Sequence, residues 1–200
     1  MMDNYFKRTA CLFALPFLLT ATTAFAHKLH RQGEETAVAE STLTVRPSRD
    51  WNQLGKRIGK NTETWTLDGP QLNDVTFFGG IAPGKPLVKE KDKKREPLPK
   101  FTKNTLLAEI PELLERTTRA YKGSGSFQIA TIEPIRFLGN EGVSFTYQFT
   151  DEDQLTRQGE ARAAIIGGKL YMITFEAPRL NYFGRYISDF RALADSAKLP

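Results

Sequence analysis

Between Phe127 and Phe175 turn signals divide the chain at short intervals into strand-like runs, a pattern that suits consecutive antiparallel strands. Val143, Phe145, Tyr147 and Phe149 alternate with Ser144, Thr146, Gln148 and Thr150, which gives one buried and one polar face. A strand over Phe127–Phe137 precedes this one across Gly139-Asn140-Glu141-Gly142. Asp151–Gln154 forms the next turn, and Leu155–Ile166 runs into Gly167-Gly168, a two-residue hairpin signal that returns the chain along Lys169–Phe175.

Helical spacing brackets this meander. Leu106, Leu107, Ile110, Leu113, Leu114, Thr117 and Tyr121 predict a helix over Asn104–Tyr121, kinked or divided at Pro111. After Ala177-Pro178 a second stripe, Tyr182, Tyr186, Ile187, Phe190, Leu193, Ala194 and Ala197, predicts a closing helix. Earlier in the chain, Thr42–Val45, Thr62–Leu67 and Leu72–Ile81 read as strands, the last two separated by the turn Asp68-Gly69-Pro70. Strands in series with helices before and after them predict an α+β domain, an antiparallel sheet flanked by helices, over residues 41–200. Pro83 to Pro99 is proline-bounded and densely charged and reads as an exposed loop. Residues 27–40 lack apolar periodicity and read as a flexible N-terminal arm.

Residues 1–26 read as a cleavable secretory signal. Lys7 and Arg8 form the basic region, Ala10–Thr20 the apolar core, and Ala24-Phe25-Ala26 a small-x-small cleavage site ahead of His27. Pro16, Thr20, Thr22 and Thr23 interrupt the apolar run, which is short for a membrane anchor, so no stable transmembrane segment is expected after processing. The single cysteine, Cys11, lies inside this segment, early in its apolar core and without the aliphatic and small-residue run of a lipidation site. The processed chain therefore has no thiol for a disulfide, a metal site or nucleophilic catalysis. Export to the periplasm, or beyond it, is the expected location.

The order of elements, together with Thr64-Trp65-Thr66-Leu67-Asp68-Gly69-Pro70, Leu72-Asn73, Phe77-Phe78-Gly79-Gly80 and the ending Asp189–Ala197, resembles the Mog1/PsbP-like fold and exported bacterial proteins that share it. The resemblance implies an α/β/α sandwich. It covers most of the chain after the signal and rests on element order. Proteins of this fold include photosystem II extrinsic subunits and a cofactor of nuclear transport, which bind protein partners, so the resemblance implies binding and carries no catalytic motif.

Charge and residue types limit the chemistry. The chain is mildly basic, +5 overall, with positive and negative residues interspersed, so no nucleic-acid groove is expected. The two histidines, His27 and His30, both lie in the predicted arm, which leaves none in the folded body for a Ser-His-Asp or Cys-His arrangement. If processing exposes His27, its α-amino nitrogen and imidazole form a chelate suited to Cu(II), to which His30 would add a second ring; the alternative is a solvated polar tail, and no other cofactor is implied. Asp68, Asp74, Glu133, Glu141, Asp151, Glu160 and Glu176 are the carboxylates that pairing across the sheet would make into an acid–base site, against a default of turn formers and solvated groups. Asp151-Glu152-Asp153 lacks calcium-loop spacing, and Gly55–Lys60 lacks the spacing of a phosphate loop.

The remaining candidates are contact residues: Lys89, Lys91, Lys93, Lys94 and Arg95 in the basic loop, and Asp68, Phe77 and Phe78 on a nearby face, although aromatic residues in strand-patterned runs are more often core. The expected function is a non-catalytic binding or accessory protein that contacts an envelope protein or a small ligand. The alternative is an enzyme that uses carboxylates or a metal, or a copper-binding protein built on His27 and His30.

Overall fold

The computed structural model describes residues 28–95 and 97–200. The segment read as a signal, and His27, lie outside the described residues.

Eight strands form one antiparallel sheet: β1 (Lys28–His30), β4 (Trp51–Gln53), β5 (Thr62–Thr66), β6 (Asp74–Ile81), β10 (Lys169–Pro178), β9 (Thr156–Ile166), β8 (Asn140–Thr150) and β7 (Ser126–Phe137), in that spatial order. β2 (Thr36–Ala37) and β3 (Thr44–Val45) make a separate small ribbon. The four strands from β7 to β10 are the predicted meander. β10 then inserts beside β6, so the connection from β6 to β7 has to cross one whole face of the sheet. That crossing carries the basic loop and helix α1 (Ile110–Lys122). Helix α2 (Gly184–Asp195) covers the opposite face, which completes an α/β/α sandwich.

Each face has its own core. On the α2 face Trp51, Trp65, Phe77, Phe175, Phe190 and Leu193 are buried together. On the α1 face the core holds Phe78, Leu87, Phe101, Ile110, Phe145 and Met172. Burying side chains of this size contributes roughly 1.5–3 kcal/mol each.

Pro111 occupies the first turn of α1 and does not kink it, because the N–H that proline lacks would have no helical partner there. Gly123, left-handed at φ 62°, ends the helix. β10 continues through Ala177-Pro178, and α2 starts only at Gly184, after a turn in which Leu180 is extended and Asn181 has φ 69°. The sheet edges are blunted. β1 is three residues long, and β7 carries Pro134 and an irregularity between Ile129 and Thr131.

The predicted arm is largely ordered. Residues 28–30 pair with β4, Val38 and Ala39 are fully buried, and Thr44 bridges to Lys198 beyond α2. Strands this short carry no readable period. Their partners far along the chain hold them in place.

Candidate functional site

One row across the α1 face of the sheet concentrates charge. Tyr147 on β8, Gly159 on β9, Glu176 on β10 and Asp74 on β6 are successive register partners. Gly159 makes the row possible, since a Cβ there would lie 2.2 Å from Cζ of Tyr147. The tyrosine ring instead lies over β9, and its hydroxyl donates to Glu176 Oε1 at 2.9 Å. Lys122, the last residue of α1, donates to Glu176 Oε2 and sits 5.0 Å from the centroid of the Phe149 ring. Arg157 donates from Nη1 to the Gln71 carbonyl at 2.8 Å and pairs through Nη2 with Asp74 Oδ2 at 3.4 Å.

The environment drives the two carboxyls apart. Burial, then the Glu176 charge, raises Asp74 to about 6 against the weaker pull of Lys122 and Arg157. Burial also pushes Glu176 upward, but the Lys122 charge and hydrogen bond, Arg157 and the Tyr147 hydroxyl together outweigh it and hold that carboxyl below its ordinary value. Burial and the neighbouring Glu176 charge raise the Tyr147 phenol well above normal. Beside the row is a cavity of about 40 Å³, floored by Asp74, Thr76, Thr174 and Glu176 and roofed by Thr118 and Lys122. That is room for about two or three water molecules. Asp74 and Glu176 belong to the carboxylates singled out in the sequence. Their pairing follows from the non-sequential β6–β10 contact.

The basic loop meets the same helix end. Lys91 donates to the Tyr121 carbonyl at 3.2 Å and lies over that residue's ring. The loop is pinned to the domain at both ends: Leu87, Val88, Leu98 and Phe101 are buried in the α1-face core, and the backbone N–H groups of Lys89 and Phe101 donate to the Ile58 and Lys85 carbonyls. The stretch read as an exposed loop is thus exposed between these pins, and its buried apolar residues offset part of the cost of ordering it. Between the pins Lys89, Lys93, Lys94 and Arg95 are exposed. The Asp92 carboxylate accepts the N–H groups of Lys94 and Arg95, which shapes the tip. Among the described residues Lys89, Lys93 and Lys94 have no ion-pair partner.

Other candidate residues fall elsewhere. Phe77 and Phe78, being consecutive on a strand, point to opposite cores, and both are buried, so neither is available to a partner. Asp68 is exposed at its turn and accepts a hydrogen bond from Asn73 Nδ2 at 3.0 Å. His30 is only 3 % exposed, stacked on Trp65 at 4.2 Å, with Nε2 3.0 Å from Gln53 Oε1 and 3.8 Å from Glu63 Oε1. This packing takes its ring out of the proposed copper chelate. The Glu63 carboxylate beside it accepts Trp65 Nε1–H at 2.7 Å and Ala39 N–H at 3.1 Å, an arrangement the sequence did not reveal. No group of three or more metal-ligating side chains occurs among the described residues, and none of their helices is long and apolar enough to cross a membrane.

No protein-family model matches the chain, and no curated protein matches it in sequence. In structure it is similar to the cyanobacterial PsbP protein (CyanoP) of Synechocystis, with a TM-score of 0.55 and 11% identity over 90% of this chain and 96% of that one. It is also similar to the Ran-binding protein Mog1p of Saccharomyces cerevisiae, with a TM-score of 0.50 and 7% identity over 85% and 96% of the two chains. The fold is therefore the expected Mog1/PsbP-like one. At such identities the likeness carries the architecture and no site.

Proposed function

We propose that this chain is an exported, periplasmic binding or accessory protein that docks an acidic envelope protein, without catalysis, through the basic loop of the α1 face. The observation that carries the reading is the pinned loop, in which buried Leu87, Val88, Leu98 and Phe101 hold Lys89, Lys93 and Lys94 out in solvent without carboxylate partners among the described residues. A charged tip on a fixed base loses little conformational freedom on binding and steers an acidic partner by long-range attraction. Export is supported by the signal pattern of residues 1–26.

The test combines intact mass with capture. Protein recovered from the envelope of its host is expected to begin at His27. It is expected to retain a partner that the triple reversal Lys89→Glu, Lys93→Glu, Lys94→Glu releases, as raised salt does. An uncleaved N-terminus overturns the location, and undiminished capture by the triple variant removes the loop.

A second reading draws on one observation: Asp74 and Glu176 are paired across strands with their acidities driven apart, as acid–base catalysis requires. It needs a substrate to displace Lys122 from Glu176. Lys122→Ala would then open the site to small substrates, whereas a structural row would only be destabilised by that change.

A further inference from the structure

At the end of the sheet where β9 starts and β10 stops, the β8–β9 turn meets the turn that leads into α2. The last register pair there is Arg157 with Pro178, and Leu155 and Leu180 each lie two residues beyond it. The turn 179–183 packs against both β9 and β10. Leu180 is 73 % exposed and Leu155 45 %, two of the large apolar side chains the described chain leaves in water. Asn181, at φ 69° and ψ −36°, bends the backbone sharply beside Leu180.

Opposite charges flank the leucines. On the α2 side Arg179 and Arg185 are exposed, and the Arg185 guanidinium lies over the rings of Tyr182 and Tyr186 at 6.0 and 5.9 Å. On the β8 side Glu152 and Asp153 are exposed at a tip shaped by Asp151, whose Oδ1 accepts the N–H groups of Asp153 and Leu155 at 3.1 and 2.9 Å. Among the described residues none of Arg179, Arg185, Glu152 and Asp153 has an ion-pair partner within 4.0 Å. The patch therefore runs from acid through an apolar centre to base.

We infer that this end of the sheet is a self-association surface whose occupant is a second copy of the chain, turned about a two-fold axis. That symmetry lays the leucines of the copies together and sets each acidic tip against the other copy's arginines. A partner of one charge would find half of the patch repulsive, whereas a second copy satisfies both halves. The patch is small, so the dimer is weak and reversible, at or below the lower limit of specific interfaces. Its acidic flank borders the end of α1, where Glu152 lies beside Gly123, just after Tyr121, whose carbonyl Lys91 of the basic loop holds.

Charge reversal supplies the test. Arg179→Glu with Arg185→Glu makes both flanks acidic, and Glu152→Lys with Asp153→Lys makes both basic. Protein purified from its host is expected to dimerise with rising concentration in sedimentation equilibrium at low salt, and each double variant to associate at least about tenfold more weakly. An equal mixture of the two variants is expected to restore a dimer containing one chain of each, seen by native mass spectrometry. Recovery in the mixture also shows that both variants fold. Leu180→Asp is expected to abolish association in every background. The inference is overturned if the unaltered protein stays monomeric up to about millimolar concentration, if either variant alone dimerises as the unaltered protein does, or if the mixture stays monomeric.

Discussion

The two faces of the sheet solve the same packing problem with different materials. On the α2 face a contiguous C-terminal helix lays Phe190, Leu193 and Ala194 onto an aromatic floor; of two buried carboxylates there, Glu63 accepts two hydrogen bonds beside the stacked His30, and Glu160 accepts a forked pair from Arg191 of the helix. The α1 face is covered by a connection that has to travel from β6 to the far edge strand. It leaves a charged row, a small cavity and a pinned basic loop under and around one helix end. Each face joins a helix cation to a buried sheet carboxylate, Arg191 to Glu160 on one and Lys122 to Glu176 on the other; on the α1 face a small cavity lies beside that pair and the loop keeps cations in solvent. In the proposed function it is the exposed lysines of this second face, which the fold does not need for packing, that serve recognition.

The α1 face depends most on Glu176. Glu176→Ala strands Lys122, Arg157 and the Tyr147 hydroxyl around a charge that is gone, and is expected to lower unfolding free energy by about 3–5 kcal/mol in denaturant titration. A loss below about 1 kcal/mol would mean that charge pairing does not close this face. Next comes Gly159→Ala, whose Cβ enters the Tyr147 ring. Overpacking of this kind is expected to cost about 1–3 kcal/mol and to shift near-ultraviolet circular dichroism from the tyrosine.

Asp74 sharpens the contrast through pH. Its carboxyl is raised to about 6, so the folded chain binds a proton that the unfolded chain has released. Its contribution to stability is thus fully present below about pH 4 and lost as pH rises through about 6, a difference of about 1–3 kcal/mol. Asp74→Asn removes that dependence, so the variant is expected to gain on the unaltered protein at about pH 8 and to show no such gain near pH 4. Glu176, held low, works in the opposite sense: its contribution is present above its unfolded value and lost as pH falls through the lowered one. Equal pH profiles for the Asp74→Asn and unaltered proteins would show that the row is not coupled as described. The smallest expected effect on stability is that of Lys93→Glu with Lys94→Glu, within about 0.5 kcal/mol in thermal unfolding, because both side chains are in solvent. A larger loss would give the loop tip a structural role.

What the sequence made legible follows contact range. The alternation of Val143, Phe145, Tyr147 and Phe149, the Gly167-Gly168 turn and the Phe190–Leu193 stripe are local, and each matched its element. His30 was not legible as a core residue because its burial depends on Trp65 and Gln53, which are far along the chain. Asp74 and Glu176 were named as carboxylates, yet nothing local pairs them. Their meeting needs β10 to return beside β6, across the whole meander, and Gly159 has a role only once Tyr147 is seen lying over it. Lys91, read as a contact residue, turned out to tie the loop to the end of α1, a bond no charge pattern announces.

The most direct measurement places a photoreactive side chain at Lys93 on the loop and, separately, at Ser188 on the outer side of α2, with the protein expressed in its host. A discrete protein adduct is expected from Lys93, lost when Lys89 and Lys94 are changed to Glu, and none is expected from Ser188. The same adduct from both positions, or none from Lys93, would contradict the assignment of recognition to the α1 face.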